Sequence, residues 1–343
     1  MKKHISFGNT VISEDAPPVT IAEAAVEHLG SVKVAMRMVE TAKEIGADMI
    51  KFQMHLPEEE MIPDVIKFWG GSLDEVLENY NLTVNDHKNL IDYCKEIGIQ
   101  YLCTPFCPEA VDVLNELGVD GYKTGSGEMT NLPMMERIAK TGKPVIVSTG
   151  MCTLEEIGET VSFLKELETT FMITNCTSIY PPPYNTINLK LIPEYRKKFD
   201  ILVGHSDHTS DIWTSLGAIA LGANVIEKHF TLNRALKGPD YKVSLEPLEF
   251  KTMVDAIKKI YAALGSEKKI HSDEVMVRDW AHHSVVTVMD VPENTVLKKE
   301  MISVKRPGRG IPAKYLKDLL QYKTTKALGR DTILQWDDVL IVS

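Results

Sequence analysis

Between residues 19 and 263, short apolar runs alternate with stretches of helical period, and this order narrows the possible folds more than any other feature of the chain. The runs 19–24, 49–53, 100–104, 121–124, 144–149, 171–176, 201–205 and 224–229 read as strands. Amphipathic patterns at 32–45, 84–97, 109–117, 132–139, 154–166, 212–221 and 247–263 read as helices. Roughly eight strand-helix units over about 250 residues match the size and order of a (β/α)8 barrel. A doubly wound open sheet usually has fewer strands, and no Gly-x-Gly-x-x-Gly follows the first run. An α/β fold is therefore expected, with a (β/α)8 TIM barrel over 1–264. The segment 58–81, with Pro63, Trp69, Gly70, Gly71 and Ser72, is long for a strand-to-helix loop and reads as a lid or binding loop.

Beyond residue 264 the pattern changes. A polar link, 265–283, leads to 284–343, where no long amphipathic helix appears. Thr295-Val296-Leu297 and Met301-Ile302-Ser303-Val304 are echoed 37 to 38 residues later by Thr332-Ile333-Leu334 and Val339-Leu340-Ile341-Val342. Two similar short units imply a small β-rich domain with internal pseudo-symmetry.

At 343 residues, 44% hydrophobic and 25% charged, the chain has the composition of a soluble globular protein. No apolar stretch is long enough for a bilayer, and Met1-Lys2-Lys3-His4 is not followed by the apolar segment of a signal peptide, so no membrane association and a cytoplasmic location are expected. The cysteines Cys94, Cys103, Cys107, Cys152 and Cys176 form no paired framework and read as free thiols. A net charge of −10 argues against nucleic acid as a partner. Residues 284–343 hold ten Lys/Arg against seven Asp/Glu, so a tail of net +3 belongs to a body of net −13.

A barrel places its chemistry at the C-terminal ends of its strands, and that is where the polar residues gather. Glu23 ends strand one, Lys51 and Gln53 strand two, and Thr104 strand three. Lys123, Ser126 and Glu128 follow strand four, Ser148 ends strand five, and Asn175, Thr177 and Tyr180 follow strand six. Ser206, Asp207 and His208 close strand seven, and Glu227 and His229 close strand eight. The lysines with Ser126, Gly127, Ser148 and Gly150 form an oxyanion cradle suited to phosphate, or to phosphate plus carboxylate. Lys51 could instead be a Schiff-base lysine or an ion-pair partner of Glu23. His208 and His229 on adjacent strand ends suggest a divalent metal with positions open for substrate, or a hydrogen-bonded structural pair. Asp240, in Gly238-Pro239-Asp240, could bind sugar hydroxyls or shape its turn.

Together these motifs resemble the sialic acid synthase (N-acetylneuraminate synthase) family over nearly the whole chain, including its small C-terminal antifreeze-like (SAF) domain. The matching segments include Ala22-Glu23, Lys51-Phe52-Gln53, Cys103-Thr104-Pro105-Phe106, Gly125-Ser126-Gly127-Glu128, Ser148-Thr149-Gly150-Met151 and Cys176-Thr177-Ser178. Ser206-Asp207-His208-Thr209, Glu227-Lys228-His229-Phe230, Gly238-Pro239-Asp240 and Lys305-Arg306-Pro307-Gly308 complete them. The resemblance implies condensation of phosphoenolpyruvate with the aldehyde of an N-acetylated sugar, N-acetylmannosamine foremost, giving N-acetylneuraminate and phosphate. It implies Mn2+ or Mg2+ on His208 and His229, and phosphoenolpyruvate among Lys51, Lys123, Glu23, Ser126, Ser148 and Ser206. Gln53, Tyr180 and Asp240 would contact the sugar, and Glu128 would transfer protons. It also implies a domain-swapped homodimer in which Arg306 reaches the sugar's N-acetyl group in trans.

The chain departs from the family at Glu27, which stands where members carry Asn in Gly-x-Asn-His-x-Gly, and at Ser178, where some have Asn. Legionaminic and pseudaminic acid synthases, which use diacetamido-trideoxyhexoses, share nearly all these motifs. A 3-deoxy sugar-acid phosphate synthase on the same barrel would need a further cationic subsite. A non-catalytic carbohydrate- or ice-binding protein would not need Lys51, Lys123, Glu128 and both histidines on one barrel face.

Overall fold

A computed structural model describes residues 3–62, 67–68, 71–72, 77 and 79–342. The chain divides into two compact units, Met1–Gly265 and Ser266–Ser343.

The first unit is the barrel. Its strands are β1 (Val19–Ala25), β2 (Met49–Met54), β3 (Gln100–Pro105), β4 (Tyr122–Lys123), β5 (Val145–Ser148), β6 (Phe171–Cys176), β7 (Val203–Asp207) and β8 (Val225–His229). Helices α1 (Val32–Glu44), α2 (Val84–Ile97), α3 (Pro108–Glu116), α4 (Leu132–Lys140), α5 (Leu154–Glu166), α6 (Leu191–Phe199), α7 (Trp213–Ala220) and α8 (Pro247–Ala263) follow them one by one. The strands form one parallel sheet in the order β3-β2-β1-β8-β7-β6-β5-β4, and β3 and β4 come within 8 Å of each other at Cα to close it. Local sequence sets the helix ends. Thr83 with Asp86 and Thr153 with Glu156 make reciprocal capping boxes at the starts of α2 and α5. Gly98 ends α2 in the left-handed conformation at φ 77°.

Strand periodicity sorts the barrel interior into layers. Ile21, Met49, Leu102, Ile146, Met172, Leu202 and Val225 form an apolar bottom layer. Two residues further along the same strands, and therefore on the same face, stand Glu23, Lys51, Thr104, Ser148, Thr174, Gly204 and Glu227. The residues between them, such as Ala22, Ile50, Phe52, Cys103, Val147 and Ile226, pack outward against the helices. An antiparallel hairpin, His4–Phe7 with Thr10–Ser13, stops the bottom of the barrel by adding Ile5, Phe7 and Ile12 to the apolar layer. The strand reading did not include this hairpin, because four-residue strands carry too little periodicity to stand out.

Most strands shift by a residue or two from the sequence reading, and β7 and β4 show why. β7 runs to Asp207 rather than 205, because Ser206 pairs with Cys176 on one side and Asp207 with Lys228 on the other. β4 keeps only two residues, although the amides of Tyr122 and Thr124 still donate to Pro144 and Ile146 at 2.9 Å. The long loop at 58–81 falls partly outside the described residues. Its described part includes a helical turn at Pro57–Glu60. Among the described residues no helix is long and apolar enough to cross a membrane.

The second unit begins with α9 (Ser272–Ala281), within the stretch read as a polar link. It continues as two antiparallel pairs, β9 (Ser284–Thr287) with β10 (Ile302–Lys305) and β11 (Tyr322–Thr324) with β12 (Val339–Ile341). The internal repeat has a structural basis. Leu297 and Leu334, and likewise Ile302 and Val339, occupy matching places in one core with Val285, Ile311 and Leu328.

Candidate active site

The polar layer opens into a cavity of 920 Å³ at the C-terminal end of the strands. The barrel residues given a catalytic, substrate or metal role line it: Glu23, Lys51, Gln53, Lys123, Ser126, Glu128, Ser148, Tyr180, Ser206, His208, His229 and Asp240, whereas Gly150, Asn175, Thr177 and Asp207 do not. Arg306 lies in the second unit, where its Nε donates to the Ala281 carbonyl at 3.1 Å and its guanidinium covers the Trp280 ring at 5.1 Å.

The cavity floor is a closed ionic network. Strand register sets His229 opposite Glu23, Glu23 opposite Lys51, and Ser206 opposite Glu227. The Lys51 ammonium lies 2.8 Å from Glu23 Oε2 and 2.9 Å from Glu227 Oε1, and donates to Thr104 Oγ1 at 3.0 Å. Lys51 thus faces two carboxylates and a hydroxyl, so the ion pair with Glu23 is present and is shared with Glu227. Lys123 lies 3.3 Å from Glu227 Oε2 and donates to the Thr124 carbonyl at 2.9 Å, and the Ser206 hydroxyl also donates to Glu227. Burial alone would raise Glu227, yet Lys123 and Lys51 hold it well below the usual carboxylate range. Burial in turn pulls the Lys51 ammonium down.

Beside the floor, Ser126 Oγ and Ser148 Oγ share a hydrogen bond of 3.0 Å. Gly150 is glycine because a Cβ there would overlap the Ser126 and Ser178 hydroxyls. Glu128 folds over Gly125, where a Cβ would overlap Glu128 Oε2. That oxygen is buried without a partner among the described residues, and burial pushes the carboxyl up to about 7.

Toward the mouth, His208 and His229 stand with ring centroids 5.3 Å apart. His208 Nδ1 donates to the Thr177 carbonyl at 2.8 Å, which leaves Nε2 as the acceptor, 3.0 Å from the Tyr180 hydroxyl. His229 Nδ1 is buried without a hydrogen-bond partner, 3.7 Å from Asp240 Oδ2. Burial pushes the His229 imidazole well below its ordinary value, keeping it neutral. Burial also raises the Asp240 carboxyl to about 6. Burial alone would lower the His208 imidazole, yet the neighbouring Cys176 and the Thr177 carbonyl hold it above its ordinary value. Two imidazoles side by side, one neutral with an orphaned nitrogen, suit a borderline divalent cation. Among the described residues no cluster of three or more His, Cys, Asp or Glu side chains could hold a metal ion.

Several neighbours carried no role in the sequence reading. Glu227 is the hub of the floor, and its i, i+2 relation to His229 was the signal that both face inward. His55 lies stacked on Phe106 with centroids 4.2 Å apart. Its Nδ1 lies 2.9 Å from Glu60 Oε2 and its Nε2 3.2 Å from Gln53 Oε1, while Gln53 Nε2 donates to Glu23 Oε1 at 3.1 Å. Asp207 faces outward instead. It accepts from the Thr209 amide and from the hydroxyls of Thr209, Thr214 and Ser215, and pairs with Lys228 at 3.3 Å, so it fastens β7 and β8 to α7.

Cationic, hydroxylic and acid-base groups converging on one cavity at the mouth of a (β/α)8 barrel define an enzyme for a small, highly charged substrate. The NeuB family model matches residues 38–269 and the SAF domain model matches 282–340. The N,N'-diacetyllegionaminic acid synthase of Campylobacter jejuni is 37% identical over 327 residues, covering 92% of this chain and 98% of that protein. The N-acetylneuraminate-9-phosphate synthase of Homo sapiens is 34% identical over 330 residues, covering 93% and 92%. The crystal structure of the N-acetylneuraminic acid (sialic acid) synthetase of Leptospira borgpetersenii superposes with a TM-score of 0.74 at 31% identity, covering 81% of this chain and 95% of that one. The chain belongs to the NeuB family and carries a C-terminal SAF domain.

Proposed function

We propose that this protein is a nonulosonic acid synthase that joins phosphoenolpyruvate to the open-chain aldehyde of an N-acetylated amino sugar. N-acetylmannosamine is the acceptor we assign, giving N-acetylneuraminate and phosphate. The observation that carries the reading is one cavity with a lysine-carboxylate floor at one end and a histidine pair at the other.

In this reading Lys51 and Lys123, with Ser126, Ser148 and Ser206, bind the carboxylate and phosphate of phosphoenolpyruvate. C3 bonds to the aldehyde carbon, and the aldehyde oxygen takes a proton from solvent. Water adds at C2 and gives a proton to Glu128, which returns it to solvent. The resulting hydroxyl collapses to the ketone as the C2–O bond breaks, and its proton leaves on the phosphate. A carboxyl raised to about 7 can both take and return that proton. Glu23 holds Lys51 at the phosphoenolpyruvate end, and Gln53, Tyr180 and Asp240 orient the sugar.

Lys51 and Lys123 present the floor's positive charge to the trianion, with Glu23 and Glu227 holding the two ammoniums in place. Mn2+ or Mg2+ on His208 and His229, toward the mouth, would polarise the aldehyde oxygen. The reading extends to a cytoplasmic, domain-swapped homodimer in which Arg306 of one subunit meets the N-acetyl group of the sugar bound by the other. The opposite charges of tail and body support it.

A diacetamido-trideoxyhexose is the second acceptor reading, supported by the 37% identity to the legionaminic acid synthase. Phosphate release from phosphoenolpyruvate with N-acetylmannosamine, its 6-phosphate and the diacetamido-trideoxyhexoses, each with Mn2+ and with chelator, tests these assignments. Fastest release with N-acetylmannosamine, lost on chelation, is expected. Preference for another acceptor would overturn the acceptor assignment, and no release with any of them would overturn the synthase reading.

A further inference from the structure

The loops after β1 and β8 meet behind the cavity wall, and Glu27 lies at their junction. It is 1% exposed and does not line the cavity. Its Oε1 accepts the backbone N–H of Asp240 at 2.8 Å. Its Oε2 has no partner among the described residues. A Cβ at Gly238 would overlap this same carboxylate, so the two positions fit one another. The Asp240 carbonyl accepts from the amides of Val243 and Ser244 at 3.0 and 3.1 Å, both within its own loop. Glu27 therefore supplies a backbone anchor from outside that loop, while the Asp240 side chain turns into the cavity.

We infer that Glu27 is a positioning residue, fastening the loop after β8 to the loop after β1 so that Asp240 is fixed in the acceptor wall. The residue that departs from the Gly-x-Asn-His-x-Gly pattern thus has a task that an amide oxygen could also perform. A buried acceptor oxygen is needed there, and a negative charge is not. The inference rests on Asp240 contacting the acceptor, as proposed above.

Hydrogen exchange read by mass spectrometry on peptides spanning 238–245 tests the anchor without any substrate. Phosphate-release kinetics on the best of the acceptors named above test its consequence. Glu27→Ala should speed exchange of the Asp240 amide about tenfold or more. It should raise the acceptor KM about tenfold while leaving the phosphoenolpyruvate KM within about twofold. Glu27→Gln should restore both to within about threefold of wild type. Should Glu27→Ala not fold, Gly238→Ala, which displaces the carboxylate, should give the same faster exchange. Unchanged exchange in either folded variant overturns the anchor. Faster exchange with an unchanged acceptor KM overturns its positioning role. A wild-type protein inactive on every acceptor overturns the synthase reading, and the exchange experiment still decides the anchor.

Discussion

At the cavity floor, Lys51 meets three acceptors within 3.0 Å, and each of its charged neighbours is borne by a strand. At the mouth, Asp240 and Tyr180 stand on loops, and His229 Nδ1 is buried with no hydrogen-bond partner among the described residues. The difference is one of preorganisation. Strand register holds charges in a fixed array before substrate arrives, which suits a reactant that never changes. Groups on loops suit the reactant that differs between related enzymes. The names of the relatives record different sugar products.

The comparison breaks most visibly at Lys123. Lys123→Met leaves Glu227 with one ammonium fewer, and losing one partner of a buried pair costs about 3–5 kcal/mol. A lowered Tm and phosphoenolpyruvate binding weakened more than about a hundredfold should be seen together. If calorimetry found the binding intact, the floor would not be the phosphoenolpyruvate site.

Glu128→Gln comes next. Turnover should fall about 10²–10⁴-fold with phosphoenolpyruvate binding kept. Because burial raises this carboxyl to about 7 and the base form is the ionised one, kcat/KM should rise with pH through about 7 in the wild type. That limb should vanish in the variant, and its persistence would assign the ionisation to another group.

His208→Ala sharpens the contrast from the mouth side, reducing Mn2+-dependent turnover about 10–100-fold. The smallest effect belongs to Glu60→Gln, which weakens the hold of His55 on Gln53. Loss of about 1 kcal/mol should raise the acceptor KM roughly fivefold, and a matching rise in the phosphoenolpyruvate KM would place Gln53 with the floor instead.

Much of this division was legible in the chain. Alternation in Met49-Ile50-Lys51-Phe52-Gln53 and in Val225-Ile226-Glu227-Lys228-His229 reveals both the strand and which side chains share the interior. The same alternation turns Lys228 outward to Asp207, so neighbours in sequence serve opposite faces. What alternation leaves open is which strands become neighbours. The meeting of Glu227 with Lys51 and Lys123 arises from β2, β4 and β8, far apart in sequence, and only barrel closure and register bring it about. Glu27 was legible as a departure from a motif, but its partner lies 213 residues away on another loop.

Titration of phosphoenolpyruvate alone into the wild type, Lys123→Met and His208→Ala, each with Mn2+ and followed by calorimetry, tests the division between floor and mouth most directly. Binding should be lost in Lys123→Met and stay within about threefold of wild type in His208→Ala. Equal losses in the two variants, or loss in His208→Ala alone, would contradict it.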